Sequence, residues 1–114
     1  MERKEKRNLR VTAQLLRLVR QFVHQHSPAH TIVTVTKIET SRDYSHAVIY
    51  LSTYPDDKEK EVLKYFTKKV SLLRDSVAKD NKTRIRPFFS FAEDKGEKNR
   101  RRIDDIIHHT QKSL

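Results

Sequence analysis

Cysteine is absent from this chain of 114 residues, and glycine occurs once, at Gly96. The first absence removes disulfides, thiolate chemistry and every cysteine-based zinc site, and it fits a reducing compartment. The second excludes more. Loops that cradle phosphates need several glycines for close backbone approach, so P-loop and dinucleotide-binding fingerprints are ruled out. A GxxG backbone clamp for single-stranded nucleic acid is ruled out on the same ground. No stretch approaches the roughly 18 apolar residues of a membrane span. The segment from Met1 to Arg10 is basic but leads into no apolar run, unlike a secretory signal. A soluble, cytoplasmic protein is the expectation.

What the chain has in excess is positive charge. The 25 Lys and Arg outnumber 15 Asp and Glu, a formal charge of +10, with an isoelectric point near 10.0. Charge of that size says nothing about fold, but it favours a polyanionic partner, because each neutralised phosphate releases condensed counterions. The excess is local as well as global. Lys64, Lys68, Lys69, Arg74, Lys79, Lys82, Arg84 and Arg86 meet only Asp75 and Asp80 before the chain enters Pro87-Phe88-Phe89-Ser90-Phe91. Hydrophobic content of 35% is low enough to raise the question of disorder. The periodicity of the apolar residues answers it.

A chain of this length makes one domain, since single cores fill about 100–150 residues. The expected organisation is a basic arm over residues 1–7, one domain over 8–110 and a tail over 111–114. From Asn8 to His26, Leu9, Ala13, Leu16, Val19, Phe22 and Val23 recur at helical spacing, with Leu15 beside them, and Ser27-Pro28 stops the helix. Thr31–Glu39 and His46–Thr53 are short and β-branched. The turn formers Thr40 to Ser45 between them predict an antiparallel hairpin. Asp56 and Asp57 are placed to cap a second helix over Lys58–Lys79, whose apolar positions are Val62, Leu63, Phe66, Val70, Leu73 and Val77. Thr83 to Phe91 reads as a third strand, with Ile85, Pro87, Phe89 and Phe91 on one face and Arg84, Arg86, Phe88 and Ser90 on the other. Pro87 cannot donate a ladder hydrogen bond, which points to an edge or a bulge. Ile103, Ile106 and Ile107 suggest a short final helix. The result is a two-layer α+β sandwich of order α-β-β-α-β plus a C-terminal α.

Other constellations have plainer readings. His24 and His26 face different ways on a helix, and His30 and the pair His108-His109 bring no orienting partners, so surface histidine is favoured over a metal site. Ser, His and Asp are present without a strained nucleophile turn, which leaves no hydrolase signature. Asp43 is expected to cap the hairpin turn, and Asp94 to bracket the final segment. Phe89 and Phe91 share a face with Ile85 and read as core. Phe88, beside Arg84 and Arg86, is a candidate for stacking on a base.

The order and several local motifs resemble the ribosome-binding factor A family of bacterial small-subunit assembly factors. The resemblance runs from about Arg10 to Ile107. It is carried by Arg10-Val11, by Val35-Thr36-Lys37-Ile38-Glu39-Thr40-Ser41-Arg42-Asp43 followed by Ala47-Val48-Ile49-Tyr50-Leu51-Ser52, and by Leu73-Arg74. Arg84, Pro87, Phe89, Phe91 and Asp94 continue it, and Ile103 with Ile106-Ile107 closes it. What the resemblance implies is a KH-like domain of type II that lacks the GxxG loop and has a kink in the second helix instead. The family usually marks that kink with Ala-x-Gly. Lys69-Val70-Ser71 stand there in this chain, which leaves Ser71 to bend the helix by bonding a carbonyl one turn back.

The resemblance implies RNA contact around the kink, through Lys68, Lys69 and Arg74. Charge alone adds Lys79, Lys82, Arg84 and Arg86, with Arg10 on the first helix. The arm residues Arg3, Lys4, Lys6 and Arg7 would add contacts on ordering. The implied partners are the 30S subunit and its precursor 16S ribosomal RNA, met by a monomer with no cofactor, no small-molecule substrate and no enzymatic activity. An adaptor for an acidic protein or membrane surface is the alternative.

Overall fold

One three-stranded sheet organises the fold, and the three α-helices among the described residues share a single core on one of its faces. The computed structural model describes residues 2–80 and 83–96, with side chains from Leu9 onward. The elements are α1 (Glu2–His26), β1 (Ile32–Thr40), β2 (His46–Tyr54), a 3-10 turn (Asp56–Lys58), α2 (Glu59–Thr67), α3 (Val70–Ala78) and β3 (Phe88–Glu93). The sheet order is β1-β2-β3, antiparallel between β1 and β2 and parallel between β2 and β3. That is the α+β, KH-like arrangement expected. The proposed final helix and Lys82 lie outside the described residues.

Helix α1 begins at Glu2, not at residue 8, so the expected arm is continuous with the helix. Residues 2–8 are a run of Glu, Lys, Arg and Asn with no Gly or Pro. Such a segment propagates a helix without the apolar period by which helices are recognised. The stripe itself is also rotated from expectation. Leu15, Val19, Phe22 and Val23 are buried, whereas Leu9 is 70% exposed and Ala13 is exposed. The helix ends as Ser27 Oγ donates to the Val23 carbonyl (2.6 Å) just before Pro28.

In β1 the core residues Val35 and Ile38 are three apart, which a regular strand would put on opposite faces. A bulge resolves this: the register shifts between Val35 and Lys37, so Val35 pairs with Leu51 and Ile38 with Ile49. Thr36 is the extra residue. Its hydroxyl lies 3.3 Å from the Tyr50 carbonyl and donates to the Asp94 carboxylate at 2.5 Å. Asp94 also donates its N–H to the Leu51 carbonyl (2.9 Å). It therefore ties the end of β3 across the sheet to β1, rather than serving only the segment that follows.

The hairpin turn is closed by Asp43. Its Oδ1 accepts from Ser45 Oγ (2.7 Å), Ser41 Oγ (2.9 Å) and the Ser45 N–H (3.1 Å). The Ser45 hydroxyl, then the Ser45 N–H and the Ser41 hydroxyl, hold this carboxyl at about 2 against an ordinary 3.8. A depressed acid bonds as the anion, so the clasp is complete at neutral pH and is lost only as pH falls below about 4 toward 2.

Two expectations for the second helix are corrected. Asp56 and Asp57 lie inside the 3-10 turn entered from Pro55, and no side-chain cap bond closes that turn or α2. Together with Glu59 and Glu61 they act by charge near the helix start. The helix is also two helices. Lys68 and Lys69 form a turn: the Lys69 N–H bonds the Phe66 carbonyl (2.9 Å) three residues back, and the Leu73 N–H then restarts the ladder on Lys69 (2.9 Å). The hydroxyl that bonds one turn back is that of Thr67, onto the Leu63 carbonyl at 2.7 Å, not that of Ser71. Thr67 occupies the last residue of α2, where a competing acceptor bond loosens the ladder.

The third strand starts at Phe88, five residues later than Thr83, because Pro87 has no N–H to pair. Pairing opens with the Phe88 N–H on the Ser45 carbonyl (2.9 Å). The core fills the space between the layers: Val62 and Phe66 of α2, Leu73 and Val77 of α3, Ala47, Ile49 and Leu51 of β2, and Phe89 of β3. Phe91 packs its ring 5.5 Å from that of Phe66. No element among the described residues covers the other sheet face.

Candidate nucleic-acid interface

The basic positions sit on one continuous run of backbone: α2, the Lys68–Lys69 turn, α3, and the loop to β3. Val62 and Phe66 of α2 and Leu73 and Val77 of α3 point into the core, whereas Leu72 is exposed, and most of the lysine and arginine positions lie on the outer side of the two helices. Lys64 and Lys68 are exposed. Lys69 is half-buried, its Nζ 4.9 Å from the centre of the Tyr65 ring. Electrostatics at the turn are two-sided. The lysines complement the negative end of α2 but stand at the positive end of α3, which has no acid in its first turn. An anion brought to this turn would meet two ammonium groups and the N-terminal N–H groups of α3 together.

Past the turn, Arg74 reaches over the Phe88 ring, with its guanidinium carbon 4.2 Å from the ring centre, and approaches the Arg86 carbonyl at 3.5 Å. Lys79 is exposed at the end of α3, where its N–H bonds Asp75 O (3.2 Å). Asp80 belongs to the helix packing rather than to the basic surface. It accepts from Gln14 Nε2 at 3.3 Å and pairs with Arg17 at 3.8 Å, joining α1 to the end of α3. Arg10 is exposed and stands one turn before Gln14 on the same side of α1. Arg84 is exposed on the loop. Among the described residues, neither Arg74 nor Arg84 is paired with a carboxylate.

Arg86 differs from its neighbours. Its Nη1 donates to the carbonyls of Thr83 (2.7 Å) and Ile85 (2.9 Å), and its Nη2 to that of Ala78 (3.2 Å). A guanidinium so placed satisfies the open C-terminus of α3 and pins the loop that carries Arg84. Charge counting groups it with Arg84; the bonding separates them. Arg86→Ala is expected to lower stability by about 1–2 kcal/mol in urea denaturation, while Arg84→Ala stays within about 0.5 kcal/mol. Equal, small effects would mean that the three carbonyl bonds contribute nothing.

The open sheet face adds a second feature, legible in the sequence only in part. Phe88 is 58% exposed there, and the His46 ring lies 6.0 Å from it across the parallel pair. The Arg74 stack on Phe88 was invisible, since 14 residues and a change of layer separate the two in sequence. Tyr50, on the same face, donates to Glu39 at 3.1 Å beneath Lys37, whose Nζ is 4.6 Å from the ring centre. That bond to Glu39 raises the Tyr50 hydroxyl above its usual 10.0. Among the described residues there is no group of three or more histidines or acids that could hold a metal, and no helix long and apolar enough to cross a membrane.

A KH-like sheet with a lysine-bearing turn between two helices, in place of a glycine loop, defines a class of small, basic α+β domain. The sequence comparisons are more specific. The ribosome-binding factor A profile matches residues 7–107. A ribosome-binding factor A from Fervidobacterium nodosum is 32% identical over 87 residues, covering 75% of this chain and 70% of the relative. One from Dehalococcoides mccartyi is 31% identical over 84 residues, covering 69% and 71%. This chain belongs to the ribosome-binding factor A family. In structure it is similar to the crystal structure of ribosome-binding factor A from Thermus thermophilus, with a TM-score of 0.66 and 20% identity over 75% of this chain and 92% of that one. It is also similar to a homology model of the Thermus thermophilus protein fitted into the cryo-electron-microscopy map of a 30S complex, with a TM-score of 0.62 and 19% identity over 73% and 90%.

Proposed function

We propose that this protein is a non-enzymatic, cytoplasmic RNA-binding factor for assembly of the small ribosomal subunit. It grips the immature 30S particle and its precursor 16S ribosomal RNA. The observation that carries this reading is the row Lys68, Lys69, Arg74, Lys79 and Arg84, none of them paired with a carboxylate among the described residues, on a chain of formal charge +10. The relative fitted into a 30S complex supplies the partner by analogy. Mechanistically, Lys68, Lys69, Arg74, Lys79 and Arg84 hold phosphates, with Arg10 and Lys82 alongside, while Arg86 holds the loop in shape. Such contacts supply affinity and register without reading sequence. Selection of the site then falls to the shape of the RNA.

Sedimentation of the tagged protein from cell lysate through a sucrose gradient at moderate salt tests the reading. Comigration with free small subunits, and absence from complete ribosomes, is the expected result. A profile confined to the top of the gradient even at low salt would move the weight to an acidic protein partner.

A further inference from the structure

We propose that Phe88, with Arg74 over its ring and His46 beside it, is a stacking seat for a single unpaired base of an RNA strand. The inference rests on the RNA-binding reading and deepens it. A lone exposed apolar side chain is ordinary and needs no explanation. Phe88 is not lone. Arg74 lies 4.2 Å from the ring centre and His46 at 6.0 Å, tilted by 35°. Arg74 is itself steadied by the Arg86 carbonyl at 3.5 Å. With one ring face under a guanidinium and the residue still 58% exposed, a planar surface is left open at the edge of the sheet.

The other aromatics of this face, half-buried Tyr50 and exposed Tyr54, lack that combination. Tyr50 carries the Glu39 carboxylate on its hydroxyl, which would repel a phosphate. Tyr54 is 62% exposed, but it pairs with Ile32 at the far end of β2. Only at Phe88 does an open ring coincide with an arginine that has no carboxylate partner among the described residues. Arg84, four residues earlier and exposed, would be the candidate for the adjoining phosphate. Charge and ring together describe the two halves of a nucleotide. The base must be unpaired, because a base inside a duplex already has both faces stacked.

The chain has no tryptophan, so Phe88→Trp places a sole indole at the seat while keeping an aromatic surface. This full-length variant is titrated with a single-stranded oligoribonucleotide, a duplex RNA of equal length and inorganic polyphosphate. The expected result is fluorescence quenching by the single strand and little by duplex or polyphosphate, although both are polyanions and the duplex carries more phosphate than the single strand. In parallel, Phe88→Leu and Phe88→Ala in the native background should each lose about tenfold in single-strand affinity with the salt dependence unchanged. Leucine keeps the apolar bulk and loses only the flat ring. Equal quenching by polyphosphate, or full single-strand affinity in Phe88→Leu, would overturn the stacking seat and leave the phosphate-binding surface standing. Failure of the native chain to bind any of the three would overturn both.

Discussion

Phe66→Ala is expected to cost about 3–5 kcal/mol, the range for removing a buried aromatic ring. Against a typical total of about 5–15 kcal/mol this is enough to leave much of the protein unfolded at physiological temperature. The reason lies in where the ring sits. Phe66 is fully buried at the end of α2, 5.5 Å from the Phe91 ring of β3 and 5.1 Å edge-on from Tyr65. Its carbonyl accepts the Lys69 N–H that closes the turn. One residue therefore joins the helix, the turn and the last strand. Urea denaturation should show a lower midpoint with little change in slope. Phe66→Leu, which refills most of the volume, should cost less than half as much. A cost below about 1 kcal/mol for the alanine variant would place the ring outside the core.

The same region shows what the sequence could and could not convey. Val62, Phe66, Val70, Leu73 and Val77 keep one helical period across the break, so hydrophobic spacing alone describes a single straight helix. The break is legible only through family resemblance, which points to Ser71 for the backward bond that Thr67 makes. Thr67, one turn after Leu63, was equally able to do it. The bulge at Thr36 is a different case. The change of parity between Val35 and Ile38 was present in the sequence, and it requires an extra residue once both are known to be buried. Burial was the missing fact. Alternation of apolar residues runs back through Ile85 and Pro87, so the sequence pattern extends β3 to Thr83 whereas its pairing begins at Phe88. Pro87 is fully buried and Ile85 packs on the core, so the alternation is real. It is backed by packing without the ladder that makes a strand.

Charge was more legible than its use. Every Lys and Arg of the interface could be counted, yet the count could not tell a cation that faces solvent from one spent on the protein. Arg86 donates to three carbonyls and Arg17 pairs with Asp80, whereas Arg84 has neither kind of partner among the described residues. That difference depends on which helix end lies near which loop, and no local pattern carries it. The reading of Phe88, Phe89 and Phe91 did better, because strand periodicity separates faces residue by residue. Phe89 is buried, Phe91 packs on Phe66 and Phe88 is exposed.

The double replacement Arg74→Ala/Arg84→Ala should weaken binding to the small subunit by about tenfold to a hundredfold, as expected for two lost charge-assisted contacts at about 1 kcal/mol or more each. Its clearer signature is the response to salt. Each phosphate contact contributes about 0.7–0.9 to the slope of log affinity against log salt, so the slope should flatten by about 1.4–1.8. Folding should survive, since Arg84 is exposed and Arg74 gives up one cation–π contact worth about 1 kcal/mol. A melting curve checks this directly. The decisive comparison is a second double variant, Arg20→Ala/Lys60→Ala, which removes the same net charge from exposed positions elsewhere on α1 and α2. If binding depended only on the overall field of a strongly basic protein, the two variants would weaken it alike. If the turn, α3 and the following loop hold phosphates, only the first variant should flatten the salt slope, and the second should keep it near the native value. Equal slopes in all three proteins would mean that Arg74 and Arg84 touch no phosphate, and the interface would have to be sought on another face.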